Sequence, residues 1–228
     1  MNEFPDITII ARALSIPSKM KILDALMDHK RHTATELAKI SHITAQTATY
    51  HLNEFLKNNW IGMEKSGRFH YFFLEDTNVV ELLEKLSPAS PPRKARSKQR
   101  AIMLEKDTLY RTCYDHMAGH IGVLITTALT QKGYLNSEFN VTENGGAFFR
   151  DYLNIEVSLL HKQKRQFATK CLDWSERQHH VGGALGHAIL LSFKEKGLVT
   201  INNKSTRALT LTTKGTSFLQ TQLNIILK

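Results

Sequence analysis

The chain is poor in several things that would settle its class at once. It has two cysteines in 228 residues, Cys113 and Cys171, too few for a disulfide framework or a four-thiolate zinc site. No apolar run reaches the ~20 residues that a membrane span needs, so no membrane partner is expected. The opening MNEFPDITIIARAL carries acids where a secretory signal needs a basic region, which argues for a cytoplasmic protein. P-loop, dinucleotide-binding, HExxH and GxSxG motifs are all missing, so no enzyme and no cofactor is expected. Five prolines, and 42% hydrophobic against 22% charged residues, describe a globular chain rather than a disordered one.

What is present in excess is positive charge, a formal +9. It is unevenly placed. Residues 1–86 hold ten Lys/Arg and eleven Asp/Glu, whereas residues 87–101 hold Arg93, Lys94, Arg96, Lys98 and Arg100 and no acid. That middle segment, SPASPPRKARSKQRA, contains three of the five prolines and reads as a basic linker. The expected organisation is therefore a first domain over 1–86, the linker over 87–101 and a second domain over 102–228.

In the first domain, Met20, Ile22, Leu23, Leu26 and Met27 recur at helical spacing. Thr33 and Glu36 form a capping-box signature ahead of TATELAKIS. A second helix begins at Thr44 as TAQTATYHLNEFLKN, with Ala48, Leu52, Phe55 and Leu56 as its buried stripe. Ala45, Gln46, Thr47, Thr49, Tyr50 and His51 are then expected on the outer side. Trp60, Ile61 and Met63 lead through a KSGR turn into FHYFFL, the alternation of a β-hairpin. Helix, turn, helix and hairpin in this order predict a winged helix-turn-helix, a mainly α fold with small β-hairpin wings.

Small and hydrogen-bonding side chains on a helix face suit entry into a DNA major groove. The expected DNA-contacting set is Thr44, Ala45, Gln46, Thr47, Thr49, Tyr50 and His51 from the helix. Lys65, Arg68 and His70 of the wing are expected to meet the phosphate backbone. TELAKIS, ITAQTATYHLNEFLKNNWI and KSGRFHYFFL together resemble the ArsR-type winged-helix regulators of bacteria, over about residues 8–86. The resemblance implies a transcriptional regulator of double-stranded DNA, most simply a homodimeric repressor on a palindromic operator. It implies dimerisation through the first and last helices, here residues 6–15 (Ile9, Ile10, Leu14) and 77–86 (Val79, Val80, Leu82, Leu83, Leu86). The family's metal sites are not carried over. TATELAKIS has no cysteine, and TNVVELLEKL has no histidine and only Glu81 and Glu84 as carboxylates.

The second domain contains a candidate duplication. HMAGHIGVLITTALTQKGYL aligns with HVGGALGHAILLSFKEKGLV, matching His116 to His180, Gly119 to Gly183 and Gly122 to Gly186. Further on, Thr142 matches Thr212, Gly145 matches Gly215, and Leu153-Asn154-Ile155 matches Leu223-Asn224-Ile225. The offset changes at NNKSTR, residues 202–207, read as a lengthened hairpin. Each copy is expected to be a long helix, an extended stretch and a second capped helix, a degenerate winged-helix-like arrangement for packing, dimerisation or sensing of a small-molecule effector. Cys113, His116 and His120 are expected on one helical stripe, with Cys171, His179 and His180 at the matching entry to the second copy. These six are candidates for thiol-based or metal-based sensing, an alternative to a purely packing role. Asp173 and Ser175 in LDWSER are expected to form a capping turn. A winged-helix adaptor that binds protein rather than DNA is the remaining alternative. The polar run from Gln46 to His51 argues against it, since protein-binding faces favour exposed apolar and aromatic groups.

Overall fold

A computed structural model describes residues 4–28, 30–90, 109–201 and 207–227. It divides into two compact units, Met1–Leu83 and Glu84–Lys228. The first begins with α1 (Ile7–Ser15), capped by the Asp6 carboxylate, and α2 (Pro17–Leu26), whose proline sits at the first turn where no N–H partner is lost. Helix α3 (Ala34–Ser41) carries the expected capping box, with Thr33 Oγ1 accepting from the Glu36 N–H and Glu36 Oε2 accepting from the Thr33 N–H. It stops where His42 turns to φ 58°. Helix α4 (Ala45–Lys57) follows after Thr44, which accepts the Thr47 N–H.

The hairpin pairs β2 (Ile61–Ser66) with β3 (Phe69–Leu74) in a register from Ile61↔Leu74 to Ser66↔Phe69. Gly67, at φ 59°, makes the turn. A two-residue strand, β1 (His32–Thr33), adds to the other edge of β3 and gives the order β1-β3-β2. No period of apolar residues announces so short a strand. Helix α5 (Thr77–Ala89) continues beyond the expected end at Leu86. Of the expected linker, residues 91–101 lie outside the described residues.

Ile22, Leu23, Leu37, Ala48, Leu52, Phe55 and Ile61 form the buried interior of the first unit. Burying a side chain such as Phe55 contributes about 1.5–3 kcal/mol. Lys19 is buried as well, and both Glu54 carboxylate oxygens accept from its Nζ, at 2.6 and 2.7 Å. The pair locks α2 to α4 and so fixes the pitch of the exposed face of α4.

The second unit opens with a hairpin of β4 (Arg111–Cys113) and β5 (His116–Ala118), then α6 (Gly119–Gln131) and α7 (Glu143–Leu153). A short α8 (Val157–Leu160) leads to a second hairpin, β6 (Thr169–Leu172) and β7 (His179–Gly182). Then come α9 (Gly183–Glu195), the strand pair β8 (Val199–Ile201) and β9 (Leu209–Leu211), and α10 (Thr213–Leu223). The long helices end as expected, Lys132-Gly133 and Lys196-Gly197 carrying the left-handed glycines. Thr142 and Thr212 each accept the N–H of the matched glycine, Gly145 and Gly215. Asn154 and Asn224 both close their helices in the left-handed region. Between α6 and α7 a single bridge, Leu135↔Val141, stands where the later half has β8 and β9. Of the lengthened hairpin read at NNKSTR, residues 202–206 lie outside the described residues.

The long helices pack crosswise: α6 lies on β7, and α9 lies on β5. Their glycines permit the approach. A Cβ on Gly186 would sit 3.0 Å from the His116 Cβ of the other hairpin, and one on Gly122 3.6 Å from that of His180. Each would also meet the strand before its own helix, 2.5 Å from the Met117 carbonyl oxygen for Gly122 and 2.3 Å from that of Val181 for Gly186. Ile121, Ile125, Leu129, Phe149, Leu185, Ile189, Phe193 and Leu219 fill the common core.

Candidate nucleic-acid interface and a Cys/His cluster

Helix α4 turns Ala48, Leu52 and Phe55 inward, and Leu56 is half-buried. Thr44, Ala45, Gln46, Thr49 and Tyr50 face solvent, and Thr47 is half-buried beside them. The threonines are partly committed. Thr44 and Thr47 share a hydroxyl contact at 2.8 Å, and the Thr49 hydroxyl donates to the Ala45 carbonyl. Their remaining lone pairs can still accept. Gln46 offers an amide for bidentate contact with a base edge, and Tyr50, 68% exposed, offers a phenol.

His51 departs from the expectation. It is buried, and its Nε2 lies 3.1 Å from Ser18 Oγ. Burial above all, and then the Lys19 charge, lowers its pKa, with Glu54 opposing. It is an interior support of α4 and not part of the outer face.

On the wing, Lys65, Arg68 and His70 are all exposed. Lys65 and His70 are cross-strand partners and so project to one face, while the Arg68 guanidinium stacks 5.0 Å from the Phe69 ring. The acid nearest them in sequence, Glu64, is paired with Arg31 at 2.6 Å. Arg31, which the sequence reading does not single out, thus removes an uncompensated negative charge from the wing.

Of the six Cys/His candidates in the second unit, four converge. Cys113 and His116 do not lie on a helical stripe with His120. They occupy opposed strands of the β4–β5 hairpin, and α6 begins only at Gly119. Cys171 and His180 are opposed in the same way in β6–β7. Their ligand atoms lie within 4.8 Å of one another. His179 points to the other face of its strand and is exposed, and His120 is occupied on the surface by Glu176 at 2.9 Å. The neighbouring Cys171 sulfur and burial push the Cys113 thiol up to about 12.

Asp173 and Ser175 form a turn, but it joins β6 to β7 rather than starting a helix. Asp173 Oδ1 accepts from the Ser175 N–H, the Glu176 N–H and the Ser175 hydroxyl. Both its oxygens accept from Arg111, and Oδ2 also accepts the Gly119 N–H at 2.7 Å. Burial would raise this carboxyl, but the neighbouring His180, the hydrogen bonds from Ser175 and the Arg111 charge outweigh it and hold it well below the usual carboxylate range.

The fold of the first unit and the exposed face of α4 define a winged helix-turn-helix DNA-binding protein. A family model described as "Winged helix-turn-helix DNA-binding" matches residues 17–61. The HTH-type transcriptional regulator YdfF of Bacillus subtilis (strain 168) is 39% identical over 226 residues, which is 97% of this chain and 98% of YdfF. The chain belongs to this family of HTH-type transcriptional regulators. Cadmium resistance transcriptional regulatory protein CadC of Listeria innocua is 25% identical over 80 residues, covering 35% of this chain and 67% of CadC. Among solved structures, NolR from Sinorhizobium fredii is similar over 39% of this chain and 96% of its own, at 18% identity and a TM-score of 0.34. Among the described residues no helix is long and apolar enough to cross a membrane.

Proposed function

We propose that this regulator is an ArsR-type cytoplasmic repressor that binds a palindromic operator as a homodimer, reading base edges with Gln46 and Tyr50 and gripping phosphates with Lys65, Arg68 and His70. The observation that carries the reading is the outer face of α4. Its exposed residues are small or hydrogen-bonding, while every large apolar side chain of the helix is buried or half-buried apart from Tyr50. Dimerisation through α1 is supported by its uncovered apolar side chains, with Ile7 77% and Ile9 45% exposed. Residues 1–86 serve as the reader, 87–101 as a basic tether, and 102–228 as a duplicated packing or sensing domain. The matched caps, glycines and hairpins of the second unit support that duplication.

Footprinting on DNA flanking the protein's own gene, with mass determination in solution, tests the reading. A two-fold symmetric footprint is expected, with half-sites about one helical turn apart. Gln46→Ala is expected to relax preference at one base pair per half-site, and Arg68→Ala to weaken all sequences alike. Equal losses on every sequence for both variants would remove Gln46 from base reading, and a monomeric footprint would remove the dimer.

A further inference from the structure

Opposed residues of an antiparallel hairpin project to the same face. The pairing of Cys113 with His116, and of Cys171 with His180, therefore gives each hairpin of the second unit one thiol and one imidazole on one side. Crosswise packing brings the two sides together, with the sulfurs 3.9 Å apart and the two Nε2 atoms 3.1 Å apart. We propose that Cys113, His116, Cys171 and His180 bind one zinc ion in a closed tetrahedral site that joins the two hairpins.

The spacing matches the ion. Zn–S bonds of about 2.3 Å and Zn–N bonds of about 2.0–2.1 Å at tetrahedral angles place two sulfurs about 3.8 Å and two nitrogens about 3.3 Å apart. A disulfide would require about 2.05 Å between the sulfurs. Two thiolates with two imidazoles are a ligand set that selects zinc over harder cations such as magnesium or calcium. Four protein ligands leave no open position, which is the arrangement of a structural rather than a catalytic ion.

The surroundings are also those of a metal site. With both Nε2 atoms turned to the centre, His116 Nδ1 lies 3.3 Å from Asp115 Oδ1, and His180 Nδ1 lies 3.3 Å from Asp173 Oδ2. The Asp115 carboxylate hydrogen-bonded behind His116 orients that ring and raises its basicity as a ligand, and Asp173 places a negative charge beside His180 Nδ1. The carboxylates are fixed in turn, Asp115 by Arg165 and Asp173 by Arg111. Small residues leave room for the rings: a Cβ on Gly182 would approach His116 Nε2 to 3.3 Å. None of the four ligands comes from the winged-helix positions at 33–41 and 77–86, although Glu84 lies beside the cluster, its Oε1 3.6 Å from Cys113 Sγ and 3.7 Å from His116 Nδ1.

The test uses the full chain, purified with a thiol reductant. Elemental analysis is expected to find close to one zinc per chain. After removal of zinc with a chelator, titration with Co²⁺ is expected to produce thiolate-to-cobalt charge-transfer absorption and the visible bands of four-coordinate cobalt. The signal should saturate at one ion per chain and be displaced by Zn²⁺. Cys113→Ser and Cys171→Ser should each weaken the site by more than the 10–100-fold typical of losing an outer-shell partner. His120→Ala and His179→Ala should leave the cobalt spectrum unchanged. If a cysteine variant does not fold, the wild-type spectrum decides by itself. A six-coordinate spectrum without sulfur bands, or no uptake by the fully reduced protein, overturns the site. So does retention of the sulfur bands in a folded double cysteine variant.

Discussion

His51 and Ser18 meet through Nε2 and Oγ at 3.1 Å, which ties α4, the helix that presents Gln46, to α2. His51 follows Ala48 by three positions and precedes Phe55 by four, so helical geometry puts it on their inward side. Among the described residues its buried Nδ1 has no hydrogen-bond partner, which suits a neutral ring. Because the folded state lowers this pKa, the unfolded chain takes up the proton first as pH falls. The contribution to stability is complete above the ordinary histidine value near 6.5 and is lost as pH drops from there toward the folded pKa. NMR titration should place His51 below 6.5, and His51→Gln should flatten the stability profile between pH 7 and 5. A His51 pKa above 6.5 would contradict the burial argument.

Arg111 and Asp173 form a buried pair in which both carboxylate oxygens accept from one guanidinium nitrogen at 2.9 Å. Removing one partner strands the other charge in the interior. Arg111→Ala or Asp173→Ala should therefore cost about 3–5 kcal/mol, measured by urea unfolding of the full chain. The double variant should lose less than the two single losses added together, because the stranded charge is then absent.

Glycines in the second unit give a contrast within one experiment. Gly122→Ala and Gly186→Ala drive a methyl group into a backbone carbonyl that cannot rotate away, and each should destabilise by about 1–3 kcal/mol. Gly146 lies inside α7, and a Cβ there would meet nothing within 4 Å. Gly146→Ala should instead stabilise by about 0.5–1 kcal/mol by removing backbone freedom from the unfolded chain. Thermal melts of the three variants should move in these opposite directions.

The winged-helix unit is legible in the sequence because local signals there agree with tertiary packing. Thr33 and Glu36 cap, Ala48, Leu52 and Phe55 repeat at helical spacing, and Gly67 turns a hairpin of alternating residues. The Cys/His cluster is legible only as composition. Strands of three or four residues such as Arg111–Cys113 and Thr169–Leu172 are too short to show a period. The interval from Cys113 to His116 fits a helical i, i+3 pair as well as a tight hairpin. What decides is Gly119 at φ 69°, a left-handed conformation that separates the strand from the helix and that no residue pattern reveals. His51 differs for another reason: its polarity suggests the outer face, whereas its helical position turns it inward, where Ser18 supplies a partner from another element.

The charge of the wing supplies the last test. Residues 1–86 are nearly neutral, so phosphate attraction by this unit itself requires a local patch. Lys65 and Arg68 are exposed on that patch, and Glu64 is engaged by Arg31. Each phosphate contact removed should reduce the steepness of log affinity against log salt by about 0.9. Lys65→Ala and Arg68→Ala should thus each make the slope shallower by about that amount per protomer, with the ranking of operator sequences unchanged. Gln46→Ala should do the reverse, altering the ranking and leaving the slope alone. An unchanged slope in the Lys65→Ala, Arg68→Ala double variant would shift the phosphate contacts away from the wing.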